Sequence, residues 1–142
     1  MNKGGPIVVI DDDKDDLEIL HIALTELECP NQIVLFTDGP AAIDYLVNSE
    51  EQPFLILSDV NMHKLTGFDV KKEIALQPKV ALKCIPYLFI TTGARKKDVI
   101  EAYALSAQGF FVKPAGYEAL KDILRSIISY WTNCLAPGDT LI

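Results

Sequence analysis

Short apolar runs punctuate this chain, and between them apolar side chains return every three or four positions. The runs are IVVI at 7–10, QIVLF at 32–36, FLILS at 54–58, YLFIT at 87–91 and GFFV at 109–112. They are nearly unbroken in apolar character and rich in β-branched and aromatic residues, which predicts five strands covered on both faces. Leu17, Leu20, Leu24 and Leu27 mark a first helix that ends before Pro30, and Ala42, Ile43, Leu46 and Val47 a second. A third begins after Gly67, buries Phe68 and Ile74 and is broken by Pro78; a fourth, after Arg95, uses Ile100, Tyr103, Ala104 and Ala107. Leu120, Ile123, Leu124, Ile127, Ile128 and Trp131 form one stripe of the last helix. Five alternations of strand and helix predict an α/β fold, a doubly wound five-stranded parallel sheet flanked by five helices.

Composition narrows the reading. At 142 residues and 49% hydrophobic, the chain suits one core. A net charge of -7 and a pI near 4.7 provide no electrostatic footprint for direct nucleic-acid or anionic-membrane binding, so partners are expected to be proteins or a cation. The opening MNKGGP leads into an apolar run too short for a signal core, and the longest apolar stretches are too short to span a bilayer. Cys29, Cys84 and Cys134 are scattered and odd in number, which fits neither a disulfide framework nor a zinc site and suits a cytoplasmic setting.

In doubly wound sheets, ligands sit beyond the carboxyl ends of the strands. There the sequence places Asp11 and Asp12, Asp59, Thr91 and Thr92, then Lys113 and Pro114. Like charges about 4 Å apart repel by roughly 4 kcal/mol at an effective dielectric near 20, and Lys113 alone does not balance three carboxylates. A divalent, oxygen-seeking cation does, and Mg²⁺ favours one or two carboxylates with water and phosphate oxygens. Such a site holds a phosphoryl group by positioning and electrostatics, and a carboxylate can itself become an aspartyl phosphate.

The motifs IVVIDD, LILSDVNMHKLTGFD, LFITTGA and FFVKPAG, in this order and at these strand ends, resemble those of bacterial response-regulator receiver domains of the CheY-like single-domain kind. The resemblance covers roughly 6–131 as the receiver domain and leaves 132–142 as a short tail with no output domain. It implies strand order 2-1-3-4-5, with Asp59 accepting a phosphoryl group from a sensor histidine kinase or a histidine phosphotransfer protein. Asp12 and Asp59 would ligate Mg²⁺, Asp11 largely through water, and Asn61 through its backbone carbonyl. Thr91 and Lys113 would hold phosphoryl oxygens, and Phe110 would be an aromatic switch moving inward with Thr91. Pro114 would follow a cis peptide bond. A downstream protein would read the face made by the fourth helix, fifth strand and fifth helix, or the phosphoryl group would pass onward; the chain would catalyse only its own phosphorylation and dephosphorylation.

Several residues have plainer readings. Asp13, Asp15 and Asp16 suit the positive end of the first helix, with Asp13 as N-cap and Asp16 in capping-box register. His21 and His63 lack metal-ligand spacing. Arg95, Lys96 and Lys97 suit a solvated helix start. Departures from the family pattern are His63 where proline is usual, Thr92 in place of alanine or glycine, Ala115 after Lys-Pro, and Ser106 in place of a frequent glycine. Two other functions stay open: a Mg²⁺-dependent phosphohydrolase working through an aspartyl phosphate, disfavoured because Asn61 is a poor acid, and a receiver-like scaffold that takes no phosphate.

Overall fold

A computed structural model describes residues 1–139. The strands are β1 (Ile7–Ile10), β2 (Ile33–Phe36), β3 (Leu55–Ser58), β4 (Tyr87–Thr91) and β5 (Gly109–Val112), all parallel, in the order 2-1-3-4-5. The helices are α1 (Lys14–Glu26), α2 (Gly39–Asn48), α3 (Gly67–Ala75), α4 (Pro78–Ala81), α5 (Lys96–Ala104) and α6 (Tyr117–Asn133), with a 3₁₀ turn at Pro137–Asp139. The fold class stands, but among the described residues there are six α-helices rather than five. Pro78 ends nothing that was still running: α3 stops at Ala75, and the proline opens the one-turn helix α4, because its missing N–H costs nothing at a helix start. The fourth and fifth expected helices are therefore α5 and α6; on α5, however, Ile100, Tyr103 and Ala104 of the expected stripe are exposed, Ala107 lies past the helix end, and Ala102 is the apolar residue buried.

The strand alternation divides the core in two. Ile7, Val9, Leu55, Leu57, Leu88 and Ile90 face Leu17, Leu20, Leu24, Leu120, Leu124 and Ile127 of α1 and α6. Val8, Ile10, Ile56, Tyr87 and Phe89 face Ala42, Leu46, Phe68, Val70, Ile74 and Ala102 of α2, α3 and α5. Each Leu or Ile fully buried in this way contributes about 1.5–3 kcal/mol. Burial on both faces holds for β1, β3 and β4, whereas the edge strands β2 and β5 are only half-covered and end, in β5, at an exposed Val112.

The ends of the domain are tied together at the sheet edge far from the carboxyl strand ends. The Met1 ammonium donates to the Lys83 carbonyl, Lys3 pairs with Asp139 at 3.0 Å, and Ala136 is buried in the α1–α6 core. Lys83 is itself 8% exposed, and its ammonium donates to the carbonyls of Leu46, Ser49 and Glu51 at 3.1, 3.0 and 2.9 Å, satisfying the C-terminal end of α2.

Candidate functional site

Register builds the site. Ile10 lies beside Ser58 across the β1–β3 pair, so Asp11 and Asp59, one residue further on, emerge side by side where the strand order reverses. The Asp59 N–H donates to the Ile10 carbonyl at 2.9 Å, and the Asp11 N–H to the Phe36 carbonyl at 3.0 Å, carrying the ladder one step past the strands. Asp11, Asp12 and Asp59 each present a carboxylate oxygen within 4.8 Å of the other two. Asp11 is fully buried, and Asp12 and Asp59 are half-buried.

Lys113 is positioned from the other side. Thr91 pairs with Val112, and the Lys113 N–H bonds to the Thr91 carbonyl at 2.7 Å, which sends the lysine arm across the sheet top. Its ammonium donates to Asp11 Oδ2 at 2.6 Å and to Asp16 Oδ2 at 3.4 Å. Burial pushes the Asp11 carboxyl above its ordinary 3.8, with the Lys113 hydrogen bond pulling it back. For Lys113 burial acts downward, but the attraction of Asp11, Asp59 and Asp16 prevails and holds the ammonium above its ordinary 10.5. One cation thus serves a site with an excess of carboxylates. An all-oxygen, partly exposed donor set of this kind fits a hard divalent ion.

The Asp59 loop is held from below. Asp59 Oδ1 accepts the Val60 N–H at 2.8 Å, Ser58 Oγ donates to the Asp59 carbonyl at 2.8 Å, and the Gly67 N–H donates to the Val60 carbonyl at 2.8 Å. A Cβ on Gly67 would lie 2.0 Å from the Asp59 carbonyl oxygen, so glycine is demanded by close backbone approach. The Tyr87 hydroxyl donates to the Gly67 carbonyl at 3.1 Å from full burial, which pushes its phenol well above the ordinary 10.0. Thr66 and Asp69 form a reciprocal capping box that starts α3.

The remaining expected residues surround this centre. Asn61 is exposed two positions beyond Asp59. Thr91 is 1% exposed at the end of β4, beside an exposed Thr92. Phe110 is half-buried, its ring centroid 6.0 Å from that of Phe89. Among the described residues no peptide bond is cis, so Lys113–Pro114 is trans, contrary to what the resemblance implies. The proline's tertiary amide makes both isomers accessible, and its ring fixes only the direction of the following turn.

Two residues read from sequence as ordinary surface groups touch the site. Asp13 caps α1 as expected, its carboxylate accepting from the Asp15 and Asp16 N–H groups at 3.0 and 3.1 Å. Asp16 does not complete a capping box; its carboxylate turns to Lys113 instead. His63 places its N–H on Asp12 Oδ2 at 2.8 Å and its Nε2 3.5 Å from the same oxygen. A proline there would have no N–H to give. Both contacts join residues far apart in the chain, 97 and 51 positions, so no local pattern announces them.

Residues 7–125 match the family model described as the response regulator receiver domain. The chain is 30% identical over 130 residues to response regulator Rcp1 of Synechocystis sp. PCC 6803, covering 88% of this chain and 87% of that protein. It is also 30% identical over 127 residues to chemotaxis protein CheY-3 of Vibrio cholerae, covering 89% and 94%. Among solved structures, the phosphorylated cyanobacterial phytochrome response regulator RcpA superposes with a TM-score of 0.80 at 29% identity, covering 92% of this chain and 96% of that one. The Mn²⁺-bound form of Rcp1 superposes with a TM-score of 0.76 at 29% identity and the same coverage.

Proposed function

The chain belongs to the response regulator receiver domain family and is a phosphoacceptor signalling switch; from that premise we propose that Asp59 accepts the phosphoryl group, with Mg²⁺ as the ion. The observation that carries the assignment is the convergence of Asp11, Asp12 and Asp59 from two neighbouring strand ends, with Lys113 reaching them from a third. The receiver unit in this reading is centred on 6–131; of the expected tail 132–142, the described residues to 139 pack on it through the end of α6, Ala136 in the core and the Asp139–Lys3 pair.

An Asp59 carboxylate oxygen bonds to phosphorus as the bond from phosphorus to the donor's imidazole nitrogen breaks. Asp11, Asp12, Asp59 and the Asn61 carbonyl are the residues that would hold Mg²⁺, which supplies charge neutralisation for the phosphoryl oxygens. Lys113 leaves Asp11 to pair with one phosphoryl oxygen, and the Thr91 hydroxyl donates to another. Phe110, half-buried against Phe89, follows Thr91 inward, so that a local charge change biases a two-state element. That the similar protein Rcp1 has a Mn²⁺-bound form supports binding of a divalent ion by this chain.

The donor is a histidine kinase or histidine phosphotransfer protein, and readout is by a downstream protein on the α5–β5–α6 face or by onward relay. Exposed Ile100, Tyr103 and Val112, at 59, 64 and 50%, support docking there. Free thiols at Cys29, Cys84 and Cys134 support a cytoplasmic setting. No external substrate is turned over; the chain promotes only its own phosphorylation and dephosphorylation. The test is intact mass after incubation with Mg²⁺ and a small phosphodonor. One phosphoryl adduct, absent in Asp59→Asn, is expected; an unmodified protein, or an adduct that survives the substitution, overturns the assignment.

A further inference from the structure

We propose that Asp16 is a positioning residue for Lys113, holding its ammonium on the α1 side of the site and so restraining phosphorylation; this rests on Asp59 being the acceptor. Lys113 has two carboxylate partners, at 2.6 Å in Asp11 and 3.4 Å in Asp16, and its side chain is only 7% exposed. Asp11 belongs to the cation cluster, so an ion there takes up much of its charge. Asp16 stands outside that cluster and keeps its full pull on the lysine.

The helix does not need this carboxylate. Asp13 already caps α1 through the Asp15 and Asp16 N–H groups, and the Asp16 side chain is turned towards the site. Asp15, on the same turn, is exposed and has no side-chain bond among the described residues, which makes it a matched control for charge alone. To bond a phosphoryl oxygen, Lys113 must give up Asp16 as well as Asp11. Loss of Asp16 removes one competitor, and a partly exposed pair of this kind is worth a factor of a few in rate.

The experiment follows the rate of adduct formation by intact mass at saturating Mg²⁺ and small phosphodonor, with donor and Mg²⁺ concentration series. Asp16→Asn is expected to react about three- to fivefold faster than the parent, with half-saturating donor and Mg²⁺ unchanged. Asp15→Asn should stay within about twofold, and Asp16→Glu should restore the parent rate. In a Lys113→Ala background, Asp16→Asn should bring no gain. Asp16→Ser, which keeps a polar helix start, serves if the asparagine variant misfolds. A gain equal to that of Asp15→Asn, an unchanged or slower rate, or a gain that persists without Lys113 overturns the proposal while leaving the acceptor assignment intact. A parent protein that forms no adduct overturns both.

Discussion

At the scale of single residues, the site depends on atoms that are absent as much as on those present. Gly67 lies where any Cβ would sit 2.0 Å from the Asp59 carbonyl oxygen and 3.0 Å from Phe89 Cε1 and Ser58 Oγ. Gly67→Ala is therefore expected to cost about 3 kcal/mol in urea unfolding and to slow adduct formation more than about tenfold, because the clash is with the backbone of the acceptor itself. A variant with the parent's stability and rate would show that the loop yields without moving Asp59. Ser106 shows the reverse case, with φ at 60° where the family often has glycine. The acids of the site were legible from their positions at strand ends, and so was the lysine. Asp16 and His63 were not, because each gains its role from a partner 97 or 51 positions away.

Elements are held by their ends as well as their faces. Asp38 caps α2, accepting the Ala41 N–H at 2.8 Å, and lies 3.3 Å from Lys64 Nζ. The backbone hydrogen bond from Ala41, then Lys64, holds its carboxyl below the ordinary 3.8. A depressed folded pKa contributes stability above the ordinary value and loses it as pH falls through the folded one. Asp38→Ala is expected to cost about 1 kcal/mol at pH 7, a deficit that shrinks once the pH drops below 3.8. Chemical unfolding at pH 7 and at low pH checks this, and a deficit independent of pH would locate the loss elsewhere than the cap. The helical periods identified α1, α2, α3 and α6, but the stripe expected on α5 lies on its exposed side, and α4 is a single turn with no period to detect. Lys83 satisfies the carbonyls of Leu46 in α2, of its C-cap Ser49 and of Glu51 just beyond, 37, 34 and 32 residues away, a contact that only the folded chain creates.

For the whole molecule, the acidic balance and the clustered carboxylates have one thermodynamic consequence. A cation that binds the folded state alone stabilises it by RT ln(1 + [L]/Kd), about 1.4 kcal/mol at ten times Kd. For a chain of 142 residues that raises Tm by roughly 3–5 °C. Calorimetry at matched ionic strength should show this rise with Mg²⁺ in the parent and its loss in Asp12→Asn. Equal shifts in both proteins would mean that Mg²⁺ acts by general screening of the net charge of -7 and not at the site.

Period and punctuation in the sequence determined the layer architecture, since a strand buried on both faces and a helix with one apolar stripe have few ways to pack. They also placed Asp11, Asp12, Asp59, Thr91 and Lys113 at strand ends, and parallel pairing then brings those ends to one edge. Tertiary structure alone decided which carboxylates Lys113 rests on, that His63 bonds Asp12, and that Lys83 closes α2 from a distance. Local chemistry sets what a segment becomes; side-chain reach across the fold, set by packing that no short window contains, decides whom it touches.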